Sequence, residues 1–347
     1  MAGVDTGPRG ARTFPVTAKG PAPKVTIAIP TFDRFHYLQQ AVESALAQTC
    51  RELEVLVGDD GGLPAIPEWC LNRAQADPRL RYFKNPGRLG LAGNWNRLAE
   101  NARGDYVIFL GDDDVLLPTF VARLLAGLGS NTDVIFCNHH VMDAAGERLP
   151  DRTERITREY GRTDLSVGVV PDAAVVAWKQ AICPSAVLTR REEVLRLGFR
   201  DELNSPDTEF FIRLAEEGAE FRFCPEYLVD FRIHPVSAMA TGLRNDRLVH
   251  ALLAIPVPAH HEELKRVCIS RLIMNGVSRA LGRGDRALAL ELLRSGYYPA
   301  DAPKALAISQ RLCAWLPAPA GGWLYRRLLQ LNSLAERRRR GVSSAVA

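Results

Sequence analysis

Short β-branched runs alternate with helical patterns from Lys24 onward, and this alternation limits the chain to few fold classes. Val25–Ile29 predicts a first strand, and apolar residues recur at helical spacing from about Arg34. Leu53–Val57 predicts a second strand. Strands that alternate with helices are typical of α/β proteins with a largely parallel sheet. We therefore expect an α/β fold with a Rossmann-like, mostly parallel sheet flanked by helices.

Later segments continue the alternation of strand and helix patterns. The predicted elements are an edge strand Leu80–Phe83, a helix from about Leu91 to Ala102, strands Tyr106–Leu110 and Asp133–Cys137, and an amphipathic helix Asp207–Glu217. Phe221–Phe223 and Tyr227–Phe231 predict a strand pair around Pro225. Residues 143–172 are polar without clear periodicity and predict an irregular loop on the acceptor side.

The composition of the chain changes at its two ends. Residues 1–23 mix Gly, Pro, Arg and Asp without an apolar core, which predicts a disordered tail. Beyond about Ala240 the sequence is rich in Leu, Ala and Arg at helical spacing. We therefore expect a catalytic domain over residues 24–240. A helical C-terminal region over residues 241–347 ends in the basic run Arg337–Arg340, which predicts a solvated tail.

Charge and cysteine content exclude some protein classes. The net charge of +4 is spread along the chain, so no nucleic-acid partner is indicated. The seven cysteines are scattered and never paired as Cys-x-x-Cys, which favours a reduced, cytoplasmic protein without a zinc site. No segment approaches the roughly 20 apolar residues of a membrane span. Trp315 and Trp323 beside Arg326 leave peripheral membrane contact open, with helix packing as the alternative.

Three consecutive aspartates, Asp112–Asp114, directly follow the apolar strand Tyr106–Leu110 and Gly111. Adjacent carboxylates at a buried strand end repel one another, which raises their pKa values unless a counter-charge is present. Magnesium and manganese ions prefer such oxygen ligands, so we expect a divalent metal here. The alternative is a cluster that caps a helix beginning near Pro118.

Acidic residues also follow other predicted strands, at the edge where open α/β sheets place their ligands. From Lys24 to about His234 the sequence resembles a family 2 glycosyltransferase of the GT-A fold. Ile29–Arg34 is similar to the family's Pro-Thr-Tyr-Asn-Arg segment, and Val57–Gly61 to its Val-x-Asp-Asp-x-Ser segment. The resemblance implies nucleotide-sugar contacts by Pro30, Thr31, Phe32, Asp33 and Asp60, with Asp60 reading the base.

The resemblance extends to the segment that contains the three aspartates. Asn85–Gly90 and Asn96 fall where the family has an Asn-x-Gly loop and a helix asparagine, which implies nucleotide contacts by Arg88 and Asn96. The family commonly shows Asp-x-Asp-Asp four residues before a proline, and Gly111 takes the place of the first aspartate. The implied roles are a ribose contact for Asp112 and metal binding by Asp113 or Asp114.

Two later motifs complete the predicted site. Pro206–Leu214 resembles the family's Glu-Asp helix start, whose aspartate is the general base of inverting enzymes. This implies Asp207 as base, with Glu209 in reserve. The segment after Phe231 resembles an Arg-x-His motif, which implies a diphosphate contact for Arg232 and a metal or diphosphate contact for His234.

The resemblance implies an inverting, metal-dependent glycosyltransferase with Mg or Mn as cofactor. Its donor would be a nucleotide diphosphate sugar of the UDP or dTDP type, and its acceptor a small molecule or glycan with a hydroxyl or amine. Acceptor contacts are expected between residues 138 and 190. The candidates in that range are Asn138, His139, Trp178 and Ser185.

Two other functions stay open. A catalytically silent module that binds a sugar nucleotide or glycan is favoured by departures from the family pattern at Asp33, Gly62, Gly111 and Pro206. A nucleotidyltransferase would also use a metal, but it normally opens with a glycine-rich basic loop that Pro30 and its neighbours do not provide. Taken singly, the acidic motifs are also typical of turns and helix caps.

Overall fold

We describe residues 24–235, 245–317 and 319–328 of the chain in a computed structural model. Within these residues nine strands form one sheet. The strands are β1 Val25–Thr31, β2 Leu53–Asp59, β3 Leu80–Lys84, β4 Tyr106–Phe109, β5 Val115–Leu116, β6 Thr132–Met142, β7 Gly168–Val169, β8 Val187–Arg190 and β9 Glu220–Arg232. The helices are α1 Phe35–Leu46, α2 Ala65–Ala76, α3 Gly90–Asn101, α4 Phe120–Ala126, α5 Pro150–Glu159, α6 Ala173–Trp178, α7 Arg191–Leu197, α8 Pro206–Glu216, α9 Asn245–Leu253, α10 Glu262–Arg283, α11 Arg286–Arg294 and α12 Lys304–Trp315.

The sheet is mixed in strand direction. Its order is β3-β2-β1-β4-β8-β6-β9-β5, and β7 pairs with β9. Strands β1 to β4 are parallel to one another, as predicted. The other half is mainly antiparallel, because β8 reverses direction between β4 and β6, and β5 and β7 run against β9. The predicted α/β fold is confirmed, with parallel order confined to β1–β4 and the pair β6–β9.

Strand β1 lies between β2 and β4, and every one of its residues is buried. Its side chains alternate between two core clusters on opposite faces of the sheet. Ile27 and Ile29 pack in the cluster that contains Val42 of α1, whereas Ala28 packs in the cluster that contains Leu98 of α3. Because helices cover both faces, the strand reads as a continuous apolar run. The carboxyl ends of β1, β2 and β4 consequently lie side by side.

Two sequence predictions were wrong about local structure. Residues 220–232 form the single strand β9, which pairs along β6 rather than folding back on itself. The register along this pair shifts beside Cys137 and Asn138, close to Pro225, because proline lacks the N–H that a regular ladder needs. Residues 143–172 contain helix α5. Its buried residues are Thr153 and Thr157, so an apolar periodicity was absent from the sequence.

The C-terminal region is helical over its described residues, as predicted. Leu248, Val249 and Ile273 of this region belong to the same buried cluster as Phe210 and Ile212 of α8. The C-terminal helices are therefore packed onto the sheet-containing part through a shared core. No described helix is long and apolar enough to cross a membrane. The predicted N-terminal tail and basic C-terminal run lie outside the described residues.

His261 links the two parts of the molecule through two carboxylates. Its Nδ1 lies 3.0 Å from Glu216 at the end of α8, and its Nε2 lies 3.2 Å from Asp172 at the start of α6. Burial lowers the pKa of His261, but the hydrogen bonds and charges of Glu216 and Asp172 outweigh this effect and raise it above 6.5. The protonated ring therefore stabilises the contact.

We expect His261→Gln to lower the melting temperature, and to lower it more at pH 5.5 than at pH 8.5. The raised pKa means that the histidine contributes its full stability below pH 6.5 and loses it as the pH rises through the folded-state value. Loss of the hydrogen bonds should cost about 1 kcal/mol, or roughly 3 °C, at the lower pH. Thermal unfolding at both pH values measures the difference. His250→Gln, at an exposed histidine paired with Glu291, is the control.

Candidate active site

The predicted acidic residues that follow β1, β2 and β4 lie at the edge where these strands end. Asp112 and Asp113 follow β4, Thr31 ends β1, and the last residues of β9 and the segment after them approach from the other side. Hydrogen bonds and ion pairs connect residues of these segments that are 80 and 121 positions apart in the chain. The sheet topology therefore assembles the site from parts that are distant in sequence.

Arg34 bridges two of the three aspartates. Its Nη2 lies 2.8 Å from Asp112 Oδ1, and its Nη1 lies 2.6 Å from Asp113 Oδ2. Sequence reasoning placed Arg34 in a motif but gave it no role at the site. The sequence did contain a signal for this role. Three adjacent carboxylates need a counter-charge, and Arg34 is the first cation after the neighbouring strand β1.

Asp112 is fully buried in this network. Its Oδ2 accepts hydrogen bonds from Thr31 Oγ1 at 2.8 Å and from the Phe32 N–H at 3.4 Å. Burial raises the pKa of Asp112 to about 7, with a further rise from Asp113, although Arg34 and the hydrogen bonds favour the ionised form. A single arginine therefore does not balance the negative charge of the cluster.

Asp114 is buried against Ser185 and the end of β9. It is 2% exposed, and its two oxygens accept hydrogen bonds from Ser185 Oγ at 2.5 Å and from the Arg232 N–H at 2.8 Å. Burial, followed by the nearby Asp113 charge, raises the pKa of Asp114 well above its usual range. These contacts connect the β4 loop to β9 and argue against the metal contact predicted for Asp114.

Asp113 is the most accessible of the three carboxylates, with a side chain that is 14% exposed. His234 Nε2 lies 2.8 Å from Asp113 Oδ2, and the His234 ring contacts the Tyr37 ring at a centroid distance of 5.0 Å with a tilt of 47°. His234 Nδ1 is buried and has no hydrogen-bond partner among the described residues. The structure thus brings together Asp113 and His234, two of the three predicted metal-binding residues.

The residues present fit a divalent ion that is also held by substrate. Within the described residues, no group of three or more His, Cys, Asp or Glu is arranged to hold a metal by itself. Magnesium-type sites in proteins commonly use one or two side chains together with substrate phosphates and water. Asp113 and His234 provide an oxygen and a nitrogen donor, and the excess negative charge beside them favours a cation.

Because Gly111 has no side chain, the carboxylates of Asp113 and Asp114 can occupy the space beside it. A Cβ atom built at this position would lie 2.8 Å from Asp113 Oδ1 and 2.9 Å from Asp114 Oδ2. Its N–H donates to Ser185 Oγ at 3.0 Å. The departure from the family pattern at Gly111 therefore has a steric reason, because the carboxylates of Asp113 and Asp114 fill the position that a side chain would take.

The segments after β1 and β2 form the predicted nucleotide side. Asp33 adopts a left-handed backbone with φ of 58°, which is uncommon outside glycine, and its Oδ1 accepts the N–H groups of Gly62 and Leu63. Pro30 pairs with Gly58 inside the sheet. Phe32 is 40% exposed, and the Arg88 guanidinium lies 4.2 Å above its ring. This exposed pair leaves aromatic and cationic groups available to a ligand.

Asp60 closes the loop that leads into α3. Its carboxylate accepts hydrogen bonds from the Leu89 N–H at 2.7 Å, the Gly90 N–H at 2.8 Å and Asn85 Nδ2 at 3.2 Å. Gly90 has a φ of +78°, a conformation that glycine adopts without strain. Asp60 thus shapes the nucleotide-side loop, and its reading of the base stays a prediction.

Two predicted contact residues have their polar groups engaged elsewhere. Asn96 exchanges two hydrogen bonds of 2.8 Å with the backbone of Phe199. The Arg232 guanidinium donates to Asp113 O at 2.8 Å and to Gln40 Oε1 at 2.7 Å, and it is 3% exposed. Both side chains hold loops in place, so the structure argues against their predicted contacts with nucleotide or diphosphate.

Asp207 lies in the first turn of α8 and is partly buried. Burial raises the pKa of Asp207 to about 6, although its own N–H and that of Thr208 donate to the carboxylate. Burial also raises the pKa of the Cys183 thiol to about 12, with smaller contributions from the Asp114 and Asp207 charges. The sequence neighbour Ser185 donates to Asp114, so this effect on Cys183 is the observation that relates Asp207 to the cluster.

Glu209 is not available as the reserve base. It is fully buried, and its Oε1 lies 2.8 Å from both Arg200 Nε and Arg213 Nε. Both arginines engage its carboxylate, so Glu209 is paired within the fold rather than directed at a ligand. Glu209 instead ties α8 to the segment that follows α7.

The four acceptor-side candidates are all buried. Asn138 and His139 are each 5% exposed, Trp178 is 1% exposed and Ser185 is 3% exposed. Burial, with the nearby Arg162 charge, lowers the pKa of His139 to about 3, so the ring is neutral. Trp178 Nε1 donates to Glu216 at 2.7 Å. Their burial argues against contacts of these side chains with an acceptor, which stay a prediction, because the sequence alone does not distinguish core positions from loop positions.

Comparison with known proteins gives one family and one fold. Residues 26–175 match the family described as Glycosyl transferase family 2. A Campylobacter jejuni GalNAc(5)-diNAcBac-PP-undecaprenol beta-1,3-glucosyltransferase is 32% identical over 117 residues, which cover 33% of this chain and 38% of that protein. An uncharacterized glycosyltransferase of Rickettsia typhi is 26% identical over 157 residues, which cover 43% of this chain and 46% of that protein. The match spans less than half of either relative.

Two solved structures share the fold over most of the chain. S. aureus TarS 1-349 in complex with UDP-GlcNAc superposes with a TM-score of 0.60 at 14% identity, covering 92% of each chain. The mannosyltransferase PcManGT from Pyrobaculum calidifontis, in complex with GDP-Man and Mn²⁺, gives a TM-score of 0.56 at 18% identity, covering 89% of this chain and 85% of that chain. The GT-A fold predicted from the sequence is confirmed.

We expect Gly111→Ala to destabilise the protein by about 1–3 kcal/mol, the usual cost of overpacking a well-filled site. The added methyl group would push against Asp113 and against Asp114, which Ser185 and Arg232 hold in place. Denaturant unfolding measures the change in the free energy of unfolding. Gly62→Ala is the matched control, because a Cβ atom there meets nothing within 4 Å. Equal stability of the two variants would contradict the steric role of Gly111.

Proposed function

We propose that this chain, of which residues 26–175 match Glycosyl transferase family 2, transfers a sugar from a nucleotide diphosphate sugar to a hydroxyl or amine of a small-molecule or glycan acceptor. The observation that carries this proposal is the cluster of Asp112, Asp113, Arg34 and His234 at the carboxyl ends of β1 and β4. Ligands of open α/β sheets bind at this edge. Solved neighbours that bind UDP-GlcNAc or GDP-Man support a nucleotide-sugar donor, for which we propose the UDP or dTDP type.

We propose that Asp113 and His234 hold a magnesium or manganese ion together with the donor diphosphate. Such an ion supplies positive charge where the leaving phosphate becomes negative. The accessibility of Asp113, the unpartnered His234 Nδ1 and the Mn²⁺ in a neighbour of the same fold support this assignment. Asp112, whose ribose contact stays a prediction from the family resemblance, supports Asp113 from a buried position through the shared Arg34. Arg88 would add charge at the diphosphate from the loop beside Phe32.

Asp207 is the proposed general base. Its carboxylate takes the proton from the acceptor hydroxyl as that oxygen attacks the anomeric carbon, while the bond to the nucleotide diphosphate breaks on the opposite face. A single displacement of this kind inverts the configuration at the anomeric carbon. A pKa of about 6 is well placed for this role, since the group is ionised at neutral pH and still basic enough to accept a proton.

We keep a cytoplasmic location as part of the proposal. All seven cysteines of the chain are free thiols, and most of them are buried. Proteins of oxidising compartments more often pair their cysteines in disulfides.

We expect Asp207→Asn to lower kcat by about 100-fold or more, because general-base catalysis typically contributes at least that factor. Donor binding should be retained, since the substitution keeps the shape of the side chain. In the unsubstituted protein, kcat should rise with pH through about 6 and then level off as Asp207 ionises. Steady-state kinetics from pH 5 to 8 with a radiolabelled donor measure both effects.

The control for Asp207 is Glu202→Gln, which removes an exposed carboxylate from the segment just before α8. This variant should keep both kcat and the pH profile. Full turnover by the Asp207→Asn variant with an intact fold would remove Asp207 from the mechanism. Nucleotide binding without turnover by the unsubstituted protein, for every donor and acceptor tested, would favour the catalytically silent binding module.

Calorimetry with UDP, dTDP and GDP, with and without Mn²⁺, tests the metal assignment. We expect tighter nucleotide binding with Mn²⁺, and loss of this enhancement in Asp113→Asn because an amide is a much weaker metal ligand than a carboxylate. Asp77→Asn is the control, at an acid that pairs with Arg79 beside β3. Nucleotide binding that is equally tight with and without Mn²⁺ would contradict metal dependence.

A further inference from the structure

Helix α12 presents large apolar side chains to solvent on one of its faces. Ile308 is 58% exposed, Leu312 is 62% exposed and Trp315 is 75% exposed. Their spacing of four and three residues places them on the same side of the helix. Gln310, Cys313 and Ala314 are buried, and Gln310 donates to Met274 O of α10 at 2.8 Å. The helix is thus packed on one side and apolar on the exposed side.

The helical segment 319–328 adds a second exposed tryptophan. Trp323 is 56% exposed, whereas Tyr325 is buried and its hydroxyl lies 2.7 Å from Ser278 Oγ of α10. The segment is therefore anchored to α10 while Trp323 points to solvent. We call Ile308, Leu312, Trp315, Leu316 and Trp323 the apolar face. Contiguous exposed apolar residues of this size on a folded protein usually mark a binding surface.

The charge of this region has one sign. Residues 302–335 contain no aspartate or glutamate, although the chain as a whole has 40 acidic residues. The charged residues of that segment are Lys304, Arg311, Arg326 and Arg327, and the sequence continues to four consecutive arginines at Arg337–Arg340. Lys304, Arg311 and Arg326 are exposed. Within this segment the apolar side chains are accompanied only by cations, a composition that is complementary to an apolar surface that carries anions.

We infer that the apolar face docks onto an anionic lipid bilayer. Helices that lie in the membrane interface combine Trp and Leu on one side with Lys and Arg around them, and tryptophan is enriched at the level of the lipid headgroups. The apolar side chains would enter the boundary between headgroups and acyl chains, and the cations would contact lipid phosphates. This inference is independent of the proposed sugar transfer.

The charge pattern disfavours the other occupants of this face. A second copy of the chain would place Arg311 and Arg326 of each molecule close to those of its partner without any carboxylate in the segment to pair with them. Like charges at a buried interface cost affinity. A bilayer with anionic headgroups supplies the missing negative charge on every side of the tryptophans.

Sedimentation of the full chain with lipid vesicles tests the inference. We expect binding to vesicles of phosphatidylcholine with phosphatidylglycerol, weaker binding to phosphatidylcholine alone, and a decrease as salt rises, because exposed charges are screened. The triple variant Ile308→Ser, Leu312→Ser, Trp315→Ser should bind the anionic vesicles about tenfold less tightly or worse, since it removes apolar area from the interface.

The matched control is the triple variant Leu71→Ser, Leu195→Ser, Val267→Ser, which removes apolar side chains that are 49%, 46% and 47% exposed on other helices. It should bind vesicles like the unsubstituted chain. Circular dichroism and thermal unfolding establish that both variants are folded. Absence of vesicle binding by the unsubstituted chain, or equal binding by the α12 variant, would overturn the inference.

Light scattering in the absence of lipid measures the oligomeric state and thereby provides an independent test. A dimer of the unsubstituted chain that the α12 substitutions convert to a monomer would assign the face to a second copy and overturn the inference. A monomer in both cases, together with lipid binding that depends on the apolar face, supports it. Donor binding measured in parallel separates this result from the proposed function, because nucleotide affinity should be the same in both triple variants.

Discussion

The rest of the site depends on the two ion pairs that the Arg34 guanidinium makes with the carboxylates of Asp112 and Asp113. Three carboxylates in sequence at a buried strand end would repel one another without a cation among them. Because β1 and β4 are adjacent and parallel, the residue that follows β1 lies beside the residues that follow β4. The sheet thus provides the counter-charge from a neighbouring strand, and it leaves an excess of negative charge that favours a further cation.

The three aspartates divide into a supporting and an accessible set. Asp114 has both oxygens occupied by Ser185 and Arg232, and Asp112 is buried against Thr31. Only Asp113 combines partial exposure with a neighbouring histidine. The two acids in the first turn of α8 divide in the same way. Glu209 has a supporting role, because its ion pairs with Arg200 and Arg213 fix α8 in place. Asp207 has no such ion pair among the described residues, and its pKa is raised. Buried polar networks of this kind hold the few reactive groups in a defined position.

Local patterns predicted the parallel half of the fold and the strand ends that carry the acids. Continuous apolar runs are visible in sequence because both sheet faces are covered, and the acids that follow them mark the ligand-binding edge. The partners of those acids were not predictable, since Ser185 and Arg232 reach Asp114 across 71 and 118 residues of chain. Helix caps and ligand sites use the same residue types, and Asp60 illustrates this. Its carboxylate accepts the backbone N–H groups that begin α3, while its reading of the base stays a prediction from the family resemblance.

Strand β9 fixes several distances in the molecule at once. It pairs with β7 through Phe223, with β5 through Asp230, and its last residue, Arg232, donates its N–H to Asp114. An inserted or deleted residue within β9 would turn every following side chain of the strand to the opposite face of the sheet. We therefore expect insertions to be tolerated at the exposed residues 166–167 before β7 but not within β9, because the length of β9 sets the distance between its pairing with β7 and its contact with Asp114.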